Sequence, residues 1–287
     1  LSLITKLINI LREISAENKA FPINIVCVGN INIGGTGKTP TSIAIYKILK
    51  SMGKKPVFIK KYYNFLKDEI EMLKEVGPVI YKNTRKEALE NAVKKKYDFA
   101  ILDDGFQDFS IKKNFSILCF NSKQMIGNGL VLPSGPLRES TNGIDRADCI
   151  IINGSKEISK KNFFYKKKIP IIKSFFKIKN LGKFKKKKFI AFAGIGNPSN
   201  FFDLLKENQI NIVKSYSFPD HYKFLNQDIK KMHDECKKKN LSLITTEKDY
   251  FRLNKEMKKK CDFLKIEVHI DKKKDLRFLL NKFKWKL

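Results

Sequence analysis

Residues 29–40 read GNINIGGTGKTP and follow the apolar run 22–28. Glycines, a lysine and a threonine at this spacing suit phosphate binding. A glycine-rich turn and the start of the next helix both aim backbone N–H groups at anions. Gly34, Gly35 and Gly37, with Thr36 among them, admit positive φ and close approach to a phosphate. Lys38 has the reach for β- and γ-phosphates, and Thr39 offers a hydroxyl to Mg²⁺. The usual G-x-x-x-x-G-K-[ST] pattern wants a glycine at 32. Here stands Asn32, a residue type that tolerates a left-handed turn.

Phosphate chemistry of this kind needs an acid at the end of a neighbouring strand to help hold the metal. The stretch FAILDDGFQ (99–107) supplies Asp103 and Asp104 behind four apolar residues. A turn or helix-capping pair of aspartates is the competing reading. Arg85 opens a predicted helix, and Arg138 and Glu139 follow a Gly-Pro turn. A fixed guanidinium suits the charge of a phosphoryl group in transfer, although a surface arginine has the same signature. On pattern alone, Asp68 reads as a helix cap and His221 as a loop residue.

The elements that must position these residues are short apolar runs alternating with helical patterns. Strands are predicted at 22–28, 56–60, 78–81, 98–103, 115–120, 130–132 and 147–152, and helices at 38–51, 68–75 and 84–96. After the apolar run 169–178, the Lys- and Gly-containing stretch 180–188 reads as a linker. A second series follows: strands 189–193, 210–215, 241–245 and 262–268, and helices 199–207, 225–239 and 273–284. The fold class is therefore α/β, with two α/β/α sandwich domains of mostly parallel sheets, the first of P-loop NTPase type. The expected division is an amphipathic N-terminal helix (1–20), a P-loop domain (21–180) and a smaller C-terminal α/β domain (181–287).

The chain has 287 residues and a formal net charge of +30. Its basic residues are nearly all lysine: arginine stands only at 12, 85, 138, 146, 252 and 277. An AT-rich genome encodes such a composition. An anionic partner, nucleic acid or membrane surface, would also select it. The lysine runs are not interleaved with stacking aromatics, so no nucleic acid is expected. The five cysteines show no paired spacing, which argues against disulfides or a zinc site. No apolar stretch approaches the ~20 residues of a membrane span. In the first fourteen residues, Leu1, Ile4, Leu7, Ile8, Leu11 and Ile14 recur at helical spacing. That stripe suits a helix packed on the core or one lying on a bilayer surface.

The motifs GGTGKTP, DDGFQ, LPSGPLRE (132–139), RAD (146–148), FPDHY (218–222) and TTEKD (245–249) occur in that order. The set closely resembles the tetraacyldisaccharide 4′-kinases, from about residue 20 onward. The resemblance implies an ATP- and Mg²⁺-dependent transfer to the 4′-hydroxyl of a tetraacylated disaccharide 1-phosphate, giving lipid IVA. It further implies a peripheral enzyme on the cytoplasmic face of the inner membrane, meeting an anionic membrane surface.

Carried over residue by residue, it places Gly34, Gly35, Thr36, Gly37, Lys38 and Thr39 on the nucleotide and Thr39, Asp103, Asp104 and Glu139 on the metal. Asp68, His221, Arg85 and Arg138 match the family's catalytic positions, Asp68 and His221 as a proton-handling pair contributed by different domains. The chain departs from the family pattern in three places. Asp108 stands where DDGFQH has its histidine, Lys67 replaces the glycine before the acidic pair, and Lys60-Lys61-Tyr62-Tyr63 replaces an S-R-G-Y motif. A nucleotide-driven switch or metallochaperone, with no phosphorylated acceptor, is the alternative from another functional class.

Overall fold

A computed structural model describes residues 5–282, apart from 6, 9, 10, 12, 64–66, 155–163, 165, 166 and 272. The chain forms two compact units. The first comprises Leu1–Tyr63, Leu73–Phe176 and Val268–Leu287; the second comprises Asn64–Met72 and Lys177–Glu267.

The first unit is built on an eight-stranded sheet in the order β12-β7-β6-β5-β1-β4-β2-β3. Its strands are β1 (Asn24–Gly29), β2 (Pro56–Lys61), β3 (Val79–Lys82), β4 (Phe99–Asp103), β5 (Phe115–Asn121), β6 (Cys149–Asn153), β7 (Ile171–Ile178) and β12 (Ile266–Ile270). From β3 through β7 every neighbouring pair is parallel. Alternate side chains of β1 serve both faces. Ile25 and Cys27 join a core that includes Ala88, Leu89 and Ala92 of α3 (Arg85–Lys94). Val26 and Val28 join another with Ile45, Ile48 and Leu49 of α1 (Lys38–Ser51). A strand covered on both sides is continuously apolar, which is why it reads as an unbroken run. Helix α2 (Lys67–Lys74) lies between β2 and β3 in the chain.

The second unit holds a four-stranded parallel sheet, β11-β10-β8-β9. Its strands are β8 (Lys188–Ala193), β9 (Asn211–Ser217), β10 (Ser242–Thr246) and β11 (Asp262–Leu264). Phe189, Ala191 and Ala193 pack with Phe201 and Leu205 of α4 (Pro198–Glu207). Ile190 and Phe192 pack with Ile229, Met232 and Cys236 of α5 (Asn226–Lys238). Two short helices, α6 (Glu247–Arg252) and α7 (Lys255–Lys258), follow β10.

Three features differ from the sequence expectation. The predicted strand 262–268 is two strands, β11 and β12, belonging to different sheets. Helix α8 (Lys273–Lys282) follows β12 into the first unit, because Leu276 and Leu280, four residues apart on one helix face, are buried with Val26 and Val28. Residues 130–132 form no strand; Val131 makes an isolated bridge to Leu137 within a turn-rich segment. In the N-terminal stripe, Leu1 and Ile4 lie outside the described residues. Leu7, Ile8, Leu11 and Ile14 are 44–77% exposed, so these four are not covered by the core.

Candidate functional site

In the first unit, parallel pairing brings the C-terminal ends of β1, β4 and β6 to one edge of the sheet. Ligands of open α/β sheets bind at that edge. Val28 pairs with Asp103, and Asn121 pairs with Asn153. The loop after β1 turns through Gly34 (φ 100°) and Gly37 (φ 85°), both left-handed. Gly37 caps α1, whose first turn carries no acidic side chain and receives no side-chain cap. Its amide dipoles therefore face outward uncompensated by a carboxylate, as an anion site requires.

Side chains that the motif reading did not include hold the loop. Asn153 donates from Nδ2 to the Thr36 carbonyl at 2.7 Å, and Ser174 of β7 hydrogen-bonds its Oδ1. A Cβ on Gly37 would meet Asn153 Nδ2 at 2.7 Å, so glycine is required there for space as well as for φ. Thr36 is 1% exposed, and its hydroxyl accepts from Asn30 Nδ2 at 3.0 Å. Asn32 does not adopt the left-handed conformation inferred for it. It is buried, donates to the Met125 carbonyl at 2.6 Å and bridges Leu137. Gly35 likewise has no positive φ.

Asp103 closes β4 with both carboxylate oxygens engaged. Oδ1 accepts from Ser42 at 2.8 Å; Oδ2 accepts from Thr39 at 3.1 Å and pairs with Lys60 Nζ at 2.8 Å. Lys60 is 2% exposed, a buried cation at the end of β2. Register explains the contact: Ile59 pairs with Leu102, so the next residues, Lys60 and Asp103, project side by side.

Asp104 takes φ 62°, its amide donating to the Val28 carbonyl at 2.9 Å. Its Oδ1 lies 3.0 Å from Arg138 Nη1 and 3.7 Å from Lys38 Nζ, and its carbonyl accepts from Arg85 Nη2 at 2.6 Å. Four predicted residues (Lys38, Arg85, Asp104 and Arg138) thus converge. Glu139 is buried, accepting from Gln107 Nε2 at 2.7 Å and from Arg146, whose guanidinium covers the rings of Phe106 and Phe109. Gln107 also donates to the Asn30 carbonyl at 2.8 Å, which links Glu139 to the loop.

Thr39 and Asp103 present a hydroxyl and a carboxylate together. Such an oxygen donor set suits Mg²⁺, which keeps most of its sphere for waters and phosphates. Among the described residues no group of three or more His, Cys, Asp or Glu side chains is placed to hold a metal ion.

In the second unit, Arg252 at the end of α6 gathers the proposed proton-handling residues. Its Nε and Nη2 both lie 2.8 Å from Asp68 Oδ2, and Nη2 is 3.4 Å from His221 Nδ1. Nη1 donates to the Gly194 carbonyl at 2.8 Å and to Asp249 Oδ1 at 3.0 Å. Asp249 Oδ2 accepts from the Gly194 amide and the Thr246 hydroxyl. Burial pushes the Asp249 carboxyl up, against the lowering effect of these partners. Asp68 Oδ1 is buried with no hydrogen-bond partner among the described residues. His221 holds φ 59°, its amide donating to the Gly194 carbonyl at 3.2 Å. Two sequence readings change here. Asp68 lies within α2, which begins at Lys67, and Asp68 and His221 belong to the same compact unit. Arg252, to which the sequence reading gave no role, is their shared neighbour.

Asp108, the departure from the family's histidine, binds Arg85 Nη1 at 3.1 Å and the Ser110 hydroxyl at 2.6 Å. Burial raises its carboxyl, but Ser110, Arg85 and Lys113 together outweigh burial and hold it below the ordinary value. A carboxylate depressed on folding stabilises the fold above its unfolded pKa, and that contribution disappears as pH falls through the lowered value. Asp108→Asn should therefore unfold at lower temperature than wild type at neutral pH, with the gap narrowing below about pH 4. Thermal denaturation across pH measures this; a gap that stays constant into acid would contradict it.

A profile of the family described as tetraacyldisaccharide-1-P 4′-kinase matches residues 1–71 and 67–284. The chain is 38% identical over 263 residues to the tetraacyldisaccharide 4′-kinase of Pelagibacter ubique, covering 88% of this chain and 82% of that protein. It is 33% identical over 273 residues to the Rickettsia akari protein of the same name, with 88% and 83% covered. In fold, the crystal structure of LpxK from Aquifex aeolicus in complex with ATP superposes with a TM-score of 0.75 at 24% identity, covering 99% of this chain and 97% of that one.

Proposed function

We propose that this chain, which belongs to the tetraacyldisaccharide 4′-kinase family, uses ATP to phosphorylate the 4′-hydroxyl of a tetraacylated disaccharide 1-phosphate, yielding lipid IVA. The observation that carries the reading is the network of Thr39, Ser42, Lys60 and Asp103 beneath the glycine loop. It matches what phosphoryl transfer requires: a fixed cradle and fixed charge, with little covalent chemistry from the protein. The acceptor oxygen forms the new P–O bond, the β–γ bridging P–O bond breaks, ADP leaves, and the hydroxyl proton passes to a base. A switch or metallochaperone is not favoured by the relatives.

Lys38 neutralises the β- and γ-phosphates, and the loop amides from Gly34 to Thr39 cradle them. Thr39 and Asp103 are the residues that would hold Mg²⁺, which would supply charge neutralisation on phosphate oxygens. Asp104 and Glu139, expected from the resemblance on the metal, have cationic neighbours instead, Arg138 and Lys38 for Asp104 and Arg146 for Glu139, and in this reading fix those arginines around the loop. Arg85 and Arg138 stabilise charge on the phosphoryl group in flight. Asp68 takes the proton of the acceptor hydroxyl at Oδ1, the carboxylate oxygen with no hydrogen-bond partner among the described residues, and His221 completes the pair.

The exposed Leu7, Ile8, Leu11 and Ile14 support peripheral attachment to an anionic membrane, and the net charge of +30 favours the same surface. No helix among the described residues is long and apolar enough to cross a bilayer. The cytoplasmic face of the inner membrane is where ATP and an acylated acceptor coincide.

Incubation with γ-labelled ATP and tetraacyldisaccharide 1-phosphate should label the lipid, and Lys38→Ala should abolish labelling. ATP turnover with no labelled lipid would overturn the kinase reading, and full labelling by Lys38→Ala would remove the loop from the chemistry. Deleting residues 1–14 should weaken binding to anionic vesicles and raise the apparent KM for the lipid acceptor while leaving that for ATP nearly constant. Unchanged vesicle binding would exclude the N-terminal residues as the anchor.

A further inference from the structure

Arg252 is the most fully committed cation among the described residues of the second unit. A guanidinium has five N–H donors in one plane and accepts nothing. All five face a partner here: two reach Asp68 Oδ2, and the others reach His221 Nδ1, the Gly194 carbonyl and Asp249 Oδ1. The side chain is 11% exposed, while those of Asp68 and Asp249 are fully buried. Such burial of two carboxylates demands a cation between them.

Two consequences follow from the donor-only nature of arginine. Both contacts to Asp68 fall on Oδ2, which leaves Oδ1 as the acceptor that this carboxylate still offers. At His221, the ring nitrogen facing Arg252 must present its lone pair, so the single proton of the neutral imidazole resides on Nε2. Protonating Nδ1 would set an imidazolium N–H against the guanidinium. Asp220, with Oδ2 3.8 Å from His221 Nε2, lies on the side where the ring proton then points.

We propose that Arg252 is a positioning residue for phosphoryl transfer, holding Asp68 by Oδ2 so that Oδ1 keeps its acceptor capacity, and His221 as the Nε2–H tautomer. The proposal rests on the reading of Asp68 and His221 as the proton-handling pair. It assigns them different tasks: Asp68 receives the hydroxyl proton, and His221 offers an N–H. Lysine at 252 would keep the charge but lose the planar fork, and one ammonium cannot hold two carboxylates, a carbonyl and a ring nitrogen in these directions. Asp249 supports Arg252 from below, itself fixed by the Gly194 amide and Thr246.

The test combines a spectroscopic and a kinetic readout on the full chain. Long-range ¹H–¹⁵N spectra of ¹⁵N-histidine-labelled protein, at alkaline pH where imidazoles are neutral, report each ring's tautomer. Loss of one signal set in His221→Ala assigns that ring. Wild type should show Nε2–H at His221, and Arg252→Gln a shift toward a tautomer mixture. Arg252→Gln should lower kcat by ~10²-fold, the lower end for general acid–base catalysis, with the KM for ATP within about twofold. Arg252→Lys should not rescue kcat. An Nδ1–H tautomer in wild type would overturn the proposal, as would Arg252→Gln or Arg252→Lys with wild-type kcat. Should Arg252→Gln fail to fold, the wild-type tautomer and the lysine variant decide. If Asp68→Ala keeps wild-type kcat, the catalytic pairing itself fails, whereas the tautomer measurement still reports on Arg252.

Discussion

The buried ion pair between Asp103 and Lys60 is the constraint on which the phosphate site depends. Asp103 sits with no exposure at the end of a central strand, where an ionised carboxylate is stable only if its lone pairs are met. Lys60 provides the countercharge from β2, and Ser42 and Thr39 reach it from α1. One carboxylate thereby joins two strands and the helix that carries the loop lysine. Removing one partner of such a pair costs about 3–5 kcal/mol, because the other charge stays buried alone. The geometry that presents Thr39 and Lys38 is thus coupled to the folding of the sheet edge.

Arginine use in this chain follows geometry. In a protein whose basic residues are nearly all lysine, Arg85, Arg146 and Arg252 each sit where a planar fork serves contacts that an ammonium cannot serve together. Arg85 joins Asp108 to the Asp104 carbonyl, while Arg146 combines a carboxylate with two aromatic faces. The scarcity of arginine is itself a signal in the sequence: it marks Arg146 and Arg252 alongside the two motif arginines, but does not separate them from Arg12 and Arg277. Asn153, Ser174 and Lys60 leave no such signal. Their role arises from parallel register, which sets Asn153 beside Ser174 and aligns Lys60 with Asp103.

The strands of both sheets are legible because burial on both faces produces short, unbroken apolar runs, as in 25–28, 99–102 and 149–152. The loop is legible because its glycines and lysine between a strand and a helix have few structural competitors, and the paired aspartates, which also suit a turn or cap, become legible beside it. The organisation of the C-terminal region is not. Residues 262–270 form one β-rich run by composition, and only tertiary pairing divides it between two sheets at Lys265. Asn32 shows a further limit, since propensity suggests a left-handed turn where a buried amide hydrogen bond decides the conformation.

The most direct measurement of the account is γ-phosphoryl transfer by the double variant Lys60→Met/Asp103→Asn, taken with its melting temperature. Replacing both charges avoids the penalty of a lone buried ion, so the double variant should fold, and melt higher than Asp103→Asn alone. It should nevertheless transfer phosphate to the lipid acceptor at least ~10²-fold more slowly than wild type at saturating Mg²⁺, having lost the carboxylate that orients Thr39 and the metal. Transfer at near wild-type rate, with an unaltered Mg²⁺ dependence, would contradict the central role given to Asp103.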